Sequence, residues 1–138
     1  MPLARRCTDA LLSGGIDFRT EQGGTLRVPA RCAELGDLVV SFDDEEVTVF
    51  LGSLTHLHFT PGAVGNPDAV DPIEECIGAA VEFVRDVLND RWIIWSCPNG
   101  IGGCYRIGSE RDRMADTPLA GERVFRFLWS GPVPRSTE

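Results

Sequence analysis

The chain is 138 residues long, 43% hydrophobic and 25% charged, the balance of one soluble globular domain rather than of a disordered or fibrous chain. Its 13 basic residues, all arginine, face 21 acidic ones for a net charge of −8, which excludes a binder that grips nucleic-acid phosphates with a basic surface. No apolar run approaches the roughly 20 residues that span a bilayer. The N-terminus "MPLARRCTDALLSGG", interrupted by Thr8, Asp9 and Ser13, does not have the form of a secretory signal, so a cytoplasmic protein is expected.

In chain order, "LARRCTDALLSGG" puts Leu3, Cys7 and Leu11 on one face at four-residue spacing, with Ala10 beside them. A short helix ending at Gly14-Gly15 is expected. "GGTLRVP" predicts a short strand stopped by Pro29. Two strand-like runs, Leu38 to Phe42 and Glu46 to Leu51, flank a purely acidic connection and predict a hairpin. In the second run Val47, Val49 and Leu51 point one way, Thr48 and Phe50 the other. The chain continues through, or turns at, Gly52-Ser53 into "LTHLHF", where Leu54, His56 and His58 share one face and Thr55, Leu57 and Phe59 the opposite one.

"TPGAVGNPDAVDP" is a loop of about a dozen residues, a length uncommon inside compact domains and often functional. The main helix follows. Asp71 is its N-cap, Pro72 its first residue, and Glu74 completes a capping box. Ile73, Ile77, Ala80, Val81, Val84 and Leu88 form its apolar stripe. Glu74, Glu75, Glu82, Arg85, Asp86 and Asn89 are expected largely on the other side, and the helix is expected to end near Asn89-Asp90.

"RWIIWSC" is apolar on both faces and predicts a central strand. "PNGIGG" predicts a wide turn, "CYRIG" a return strand, and "SERDRMADTPLAGE" a charged exposed connection. In "RVFRFLWSG" the residues Phe125, Phe127 and Trp129 are expected along one face. The pattern is that of a single α+β domain over residues 1–131: a mostly antiparallel twisted sheet of five to seven strands, with one long and one short helix packed on it. Residues 132–138 are expected to form a flexible tail.

Few side chains point to chemistry. On a strand, His56 and His58 lie on one side, about 7 Å apart along the chain. Zinc needs three or four ligands, and Cys97 and Cys104 are the nearest second pair, but six residues separate them where zinc ribbons and fingers use two to four. These four residues are weak metal candidates, and no metal or other cofactor is expected. The five cysteines, at 7, 32, 76, 97 and 104, are odd in number and lack a C-x-x-C, so reduced thiols are expected. No G-x-S-x-G is present, and the glycines of "NGIGGCY" lead into a strand and not into the helix N-terminus that cradles a phosphate.

The acidic groups form the stronger constellation. Asp43, Asp44, Glu45 and Glu46 crowd one hairpin tip, where like charges repel one another unless a cation or a basic partner meets them. The spacing and glycine of a calcium-binding EF-hand are absent. Together with Asp68 in the long loop and Glu75 on the main helix, these four are the expected partner-binding residues. A surface this acidic attracts an electropositive protein at long range.

In size, charge, mixed architecture and lack of catalytic machinery, the chain resembles the small acidic α+β immunity proteins that bacteria encode beside secreted polymorphic toxins. The resemblance implies a non-catalytic protein, monomeric or homodimeric, that caps a cationic toxin domain. The order of helix, strands, helix, strands is also similar to that of the acidic chaperones of type III secretion, which act as dimers on an effector, although "VFRFLWS" alternates like a strand where those chaperones have a helix. A third class is a small enzyme using His56, His58 and a cysteine or a metal.

Overall fold

The computed structural model describes residues 3–62, 71–98, 100–108 and 123–133. Helix α1 (Leu3–Ser13) is followed by strands β1 (Arg19–Thr20), β2 (Leu26–Val28), β3 (Leu38–Phe42), β4 (Val47–Leu51) and β5 (Thr55–Phe59). After helix α2 (Pro72–Leu88) come β6 (Trp92–Ser96), β7 (Gly102–Arg106), β8 (Phe125–Leu128) and β9 (Gly131–Pro132). The protein is an α+β domain, as its pattern predicts. No helix among the described residues is long and apolar enough to cross a membrane.

The strands divide between two antiparallel sheets rather than joining in one. The first is a meander, β1-β2-β3-β4-β5, and the second has the order β7-β6-β8-β9. The division has a local cause. Connections of three to nine residues let each strand from β2 to β5 pair with the one before it, and α2 then interrupts the run. The helix lies against both sheets, its Phe83 ring 5.6 Å from Phe59 of β5 and 4.9 Å from Trp92 of β6. The sheets also approach one another directly. A Cβ added at Gly102 of β7 would stand 2.1 Å from the Leu54 carbonyl oxygen just before β5, so only glycine allows that contact.

Apolar periodicity accounts for the core. Leu3, Cys7 and Leu11 of α1 meet Ile77, Ala80 and Val84 of α2 over Leu38, Val40, Val47, Val49 and Leu51 of the first sheet. The cluster continues into Ile94 and Phe127 of the second. The strand β6 is central, between β7 and β8. The turn before β7 is tighter than "PNGIGG" suggests, because Gly102 already belongs to the strand and Cys97 N–H donates to the Ile101 carbonyl at 2.8 Å.

Three local expectations are corrected. Asp86 does not face solvent: it is buried, with Phe83 and Val87, because the second sheet covers that side of α2. Arg106 of β7 donates to its carboxylate at 3.1 Å. Trp129 and Phe127 are buried but Phe125 is 44% exposed, since Phe125 pairs with Ser96 at the far end of β6, beyond the reach of the core. Pairing also extends past residue 131, for Pro132 lies opposite Phe127 and Val133 N–H donates to the Arg126 carbonyl. The expected charged connection at 109–122 and most of the 60–71 loop fall outside the described residues.

Candidate partner-binding surface

The β3–β4 connection, residues 43–46, is a tight acidic turn. Its geometry follows from Asp43, whose Oδ1 accepts the backbone N–H groups of Glu45 at 2.8 Å and Glu46 at 2.7 Å. An aspartate bonding to amides two and three residues ahead stabilises a turn on its own. Asp43 therefore shapes the tip. Asp44 and Glu45 stand exposed beside it, and neither carboxylate meets a basic group among the described residues.

Glu46 has a different task. It is half-buried and turns onto the outer face of the first sheet, where its Oε1 lies 2.8 Å from His58 Nδ1. Thr48, directly across from His58 in the β4–β5 register, brings its hydroxyl to 3.2 Å from the same nitrogen. A carboxylate, an imidazole and a hydroxyl in contact invite comparison with a nucleophile–base–acid set. The connectivity differs, because such a set places the nucleophile and the carboxylate on opposite ring nitrogens. Here both partners share Nδ1, so the imidazole cannot relay a proton between them.

The rest of that outer face is an open row. Arg27, Val39, Phe50 and His56 lie opposite one another across β2 to β5. Phe50 is 36% exposed, and its ring is 5.5 Å from that of His56. The rings of His56 and His58 meet edge to face at 4.9 Å. At the β2 end Arg27 is held by Glu21 and by Asp37, the latter at 2.9 Å. The Ala30 N–H and then Arg27 hold the Asp37 carboxyl below its usual range.

The other expected site residues are dispersed. Glu75 is half-buried in the first turn of α2, and Asp68 lies outside the described residues. Cys97 and Cys104 stay apart from the histidines in role, Cys97 in the β6–β7 turn and Cys104 packed at the edge of the core. Among the described residues, no three His, Cys, Asp or Glu side chains converge on a metal position. All five cysteines are free thiols. Sequence reasoning did not single out Phe50 or the Glu46–His58 contact. The alternation of β4 carries the first signal, whereas the second depends on the β4–β5 register, which the three-residue Gly52-Ser53-Leu54 connection sets.

Compared with known proteins, the chain matches no family model, no curated protein and no solved structure.

Proposed function

We propose that this chain is a non-catalytic, acidic protein-binding module, and within that class a bacterial immunity protein that neutralises a cognate polymorphic toxin by capping it in the cytoplasm. The observation that carries the proposal is the β3–β4 tip: Asp44 and Glu45 are exposed, with no basic partner among the described residues, in a chain of net charge −8. Unpaired like charges at a turn do not help the fold, and they suit an electropositive partner found by long-range attraction. Phe50 on the adjoining sheet face supplies an aromatic group of the kind that anchors interfaces. The resemblance to type III secretion chaperones loses support at the C-terminus, where β8 and β9 stand in place of a helix.

Asp43 and Glu46 have structural contacts, so the test leaves them in place. The variant is Asp44→Asn/Glu45→Gln, and the partner assayed is the product of the adjacent gene. Association should slow by about three- to tenfold at low salt and converge with wild type as salt rises, because exposed charges are screened over about 8 Å at physiological ionic strength. Growth rescue should weaken in parallel. An association rate indifferent to both the substitution and salt would leave the tip a solvated turn and remove the basis of the proposal.

A further inference from the structure

The outer sheet face carries a second feature that protein binding does not require. Both histidines of the chain are exposed on it, in register with Phe50 and Thr48. Two imidazole nitrogens bound to one ion at about 2.1 Å hold their ring centres about 3.2 Å from it; at a bite of about 90–110° the centres stand about 4.5–5.2 Å apart. The centres of His56 and His58 are 4.9 Å apart. The rings lie edge to face, so convergence of two nitrogens needs a turn about Cβ–Cγ, a broad and soft torsion. The exposed His56 ring has room to make it, and His58 keeps its contact with Glu46.

Glu46 favours the same outcome. With Nδ1 of His58 held by the Glu46 carboxylate at 2.8 Å, Nε2 is left as the lone-pair donor. A carboxylate behind a histidine is the arrangement that orients metal ligands and raises their basicity. The exposed carboxylates of Asp44 and Glu45 add a negative field that concentrates cations. We propose that His56 and His58 form a two-imidazole chelate for a late first-row divalent transition metal, with Glu46 as the outer-sphere carboxylate. Imidazole donors suit nickel, copper and zinc, and discriminate against calcium and magnesium, which prefer oxygen. Two protein ligands leave the remaining coordination positions to water or to a donor from outside the chain.

The test is equilibrium dialysis of the full chain against Ni2+ at pH 7.5, wild type beside His56→Ala, His58→Ala, the double variant and Glu46→Gln. Wild type should take up one Ni2+ per chain. Each single histidine variant should bind at least about tenfold more weakly, since the chelate becomes a single ligand, and the double variant should bind none at that site. Glu46→Gln should cost about tenfold, the lower end of what loss of such a carboxylate does. Both histidines are exposed, so these substitutions leave the core intact, and far-UV circular dichroism checks this. Three outcomes overturn the proposal: no uptake at millimolar Ni2+, uptake unchanged in the double histidine variant, or displacement of Ni2+ by excess Ca2+, which would put the ion on the acidic tip.

Discussion

At position 52 a methyl group has nowhere to go. A Cβ added to Gly52 would lie 1.7 Å from the Leu35 carbonyl oxygen, and the residue holds φ at 58°. Neither the backbone contact nor the left-handed conformation accommodates alanine. Gly52→Ala should lower stability by at least about 3 kcal/mol, beyond ordinary overpacking, because a backbone atom cannot step aside as a side chain does. Gly78 is the control. It sits exposed within α2 with nothing within 4 Å of its would-be Cβ, so Gly78→Ala should raise stability by about 0.5–1 kcal/mol by removing the glycine penalty in a helix. Urea unfolding of the two variants beside wild type measures both. Opposite shifts of the midpoint are expected, and a tolerated Gly52→Ala would contradict the close passage of the 51–54 turn beneath residues 35–36.

Among the elements, α2 shows most plainly how local chemistry fixes a boundary. Asp71 accepts from the Ile73 and Glu74 amides at 3.0 and 3.2 Å and pairs with Arg6 of α1 at 3.2 Å. The amide contact at Glu74, and then Arg6, hold its carboxyl below its usual value. Asp37 is depressed in the same direction by the Ala30 amide and Arg27. A carboxyl more acidic when folded stabilises the protein above its unfolded pKa, near 3.8 for aspartate, and loses that contribution as pH falls through the folded value. Stability should therefore fall as pH drops below about 4, and Asp71→Ala should both lower the urea midpoint at pH 7 and flatten this acid limb. Asp71→Asn, which keeps a cap oxygen, should recover part of the pH 7 loss but not the acid dependence. An acid limb unchanged in both variants would mean that the charge on Asp71 contributes nothing to the fold. The capping sequence Asp71-Pro72-Ile73-Glu74 makes this boundary legible in the sequence, as does the four-residue spacing of Leu3, Cys7 and Leu11 for α1. The solvent side of α2 was less legible. Asp86 follows the polar half of the pattern and is nevertheless buried against Arg106, because helical periodicity marks one covered face and α2 has two.

For the whole molecule, the cysteines report on the core. Cys7 on α1, Cys32 between β2 and β3, and Cys76 on α2 are buried, while Cys97 and Cys104 are half-buried. Burial, and then the neighbouring Cys76, push the Cys7 thiol up to about 12, and burial raises Cys76 as well. Thiolate is the reactive form, so iodoacetamide at pH 8 should leave Cys7 and Cys76 unmodified until the chain unfolds; burial alone should protect Cys32, and Cys97 and Cys104 should be reached sooner. Mass spectrometry of partly labelled protein reads the order. Rapid native labelling of Cys7 would contradict the docking of α1 on α2. The sign at high pH follows from the same shift. The folded state keeps a proton on Cys7 that the unfolded chain loses near 9, so stability should decline as pH rises from about 9 towards 12.

Local pattern alone was enough for the α+β class, both helices, the β3–β4 hairpin with its acidic tip, the inward set Val47, Val49 and Leu51, and the shared face of His56 and His58. Each rests on a period or a cap spanning a few neighbouring residues. The division of the strands into two sheets, the burial of Asp86, the exposure of Phe125 and the contact of Glu46 with His58 came from the folded arrangement alone. These depend on which element covers which face and on strand register. Both are settled by packing between segments far apart in the chain, such as Leu54 against Gly102 and Phe83 between Phe59 and Trp92, and a local pattern carries no record of a distant neighbour.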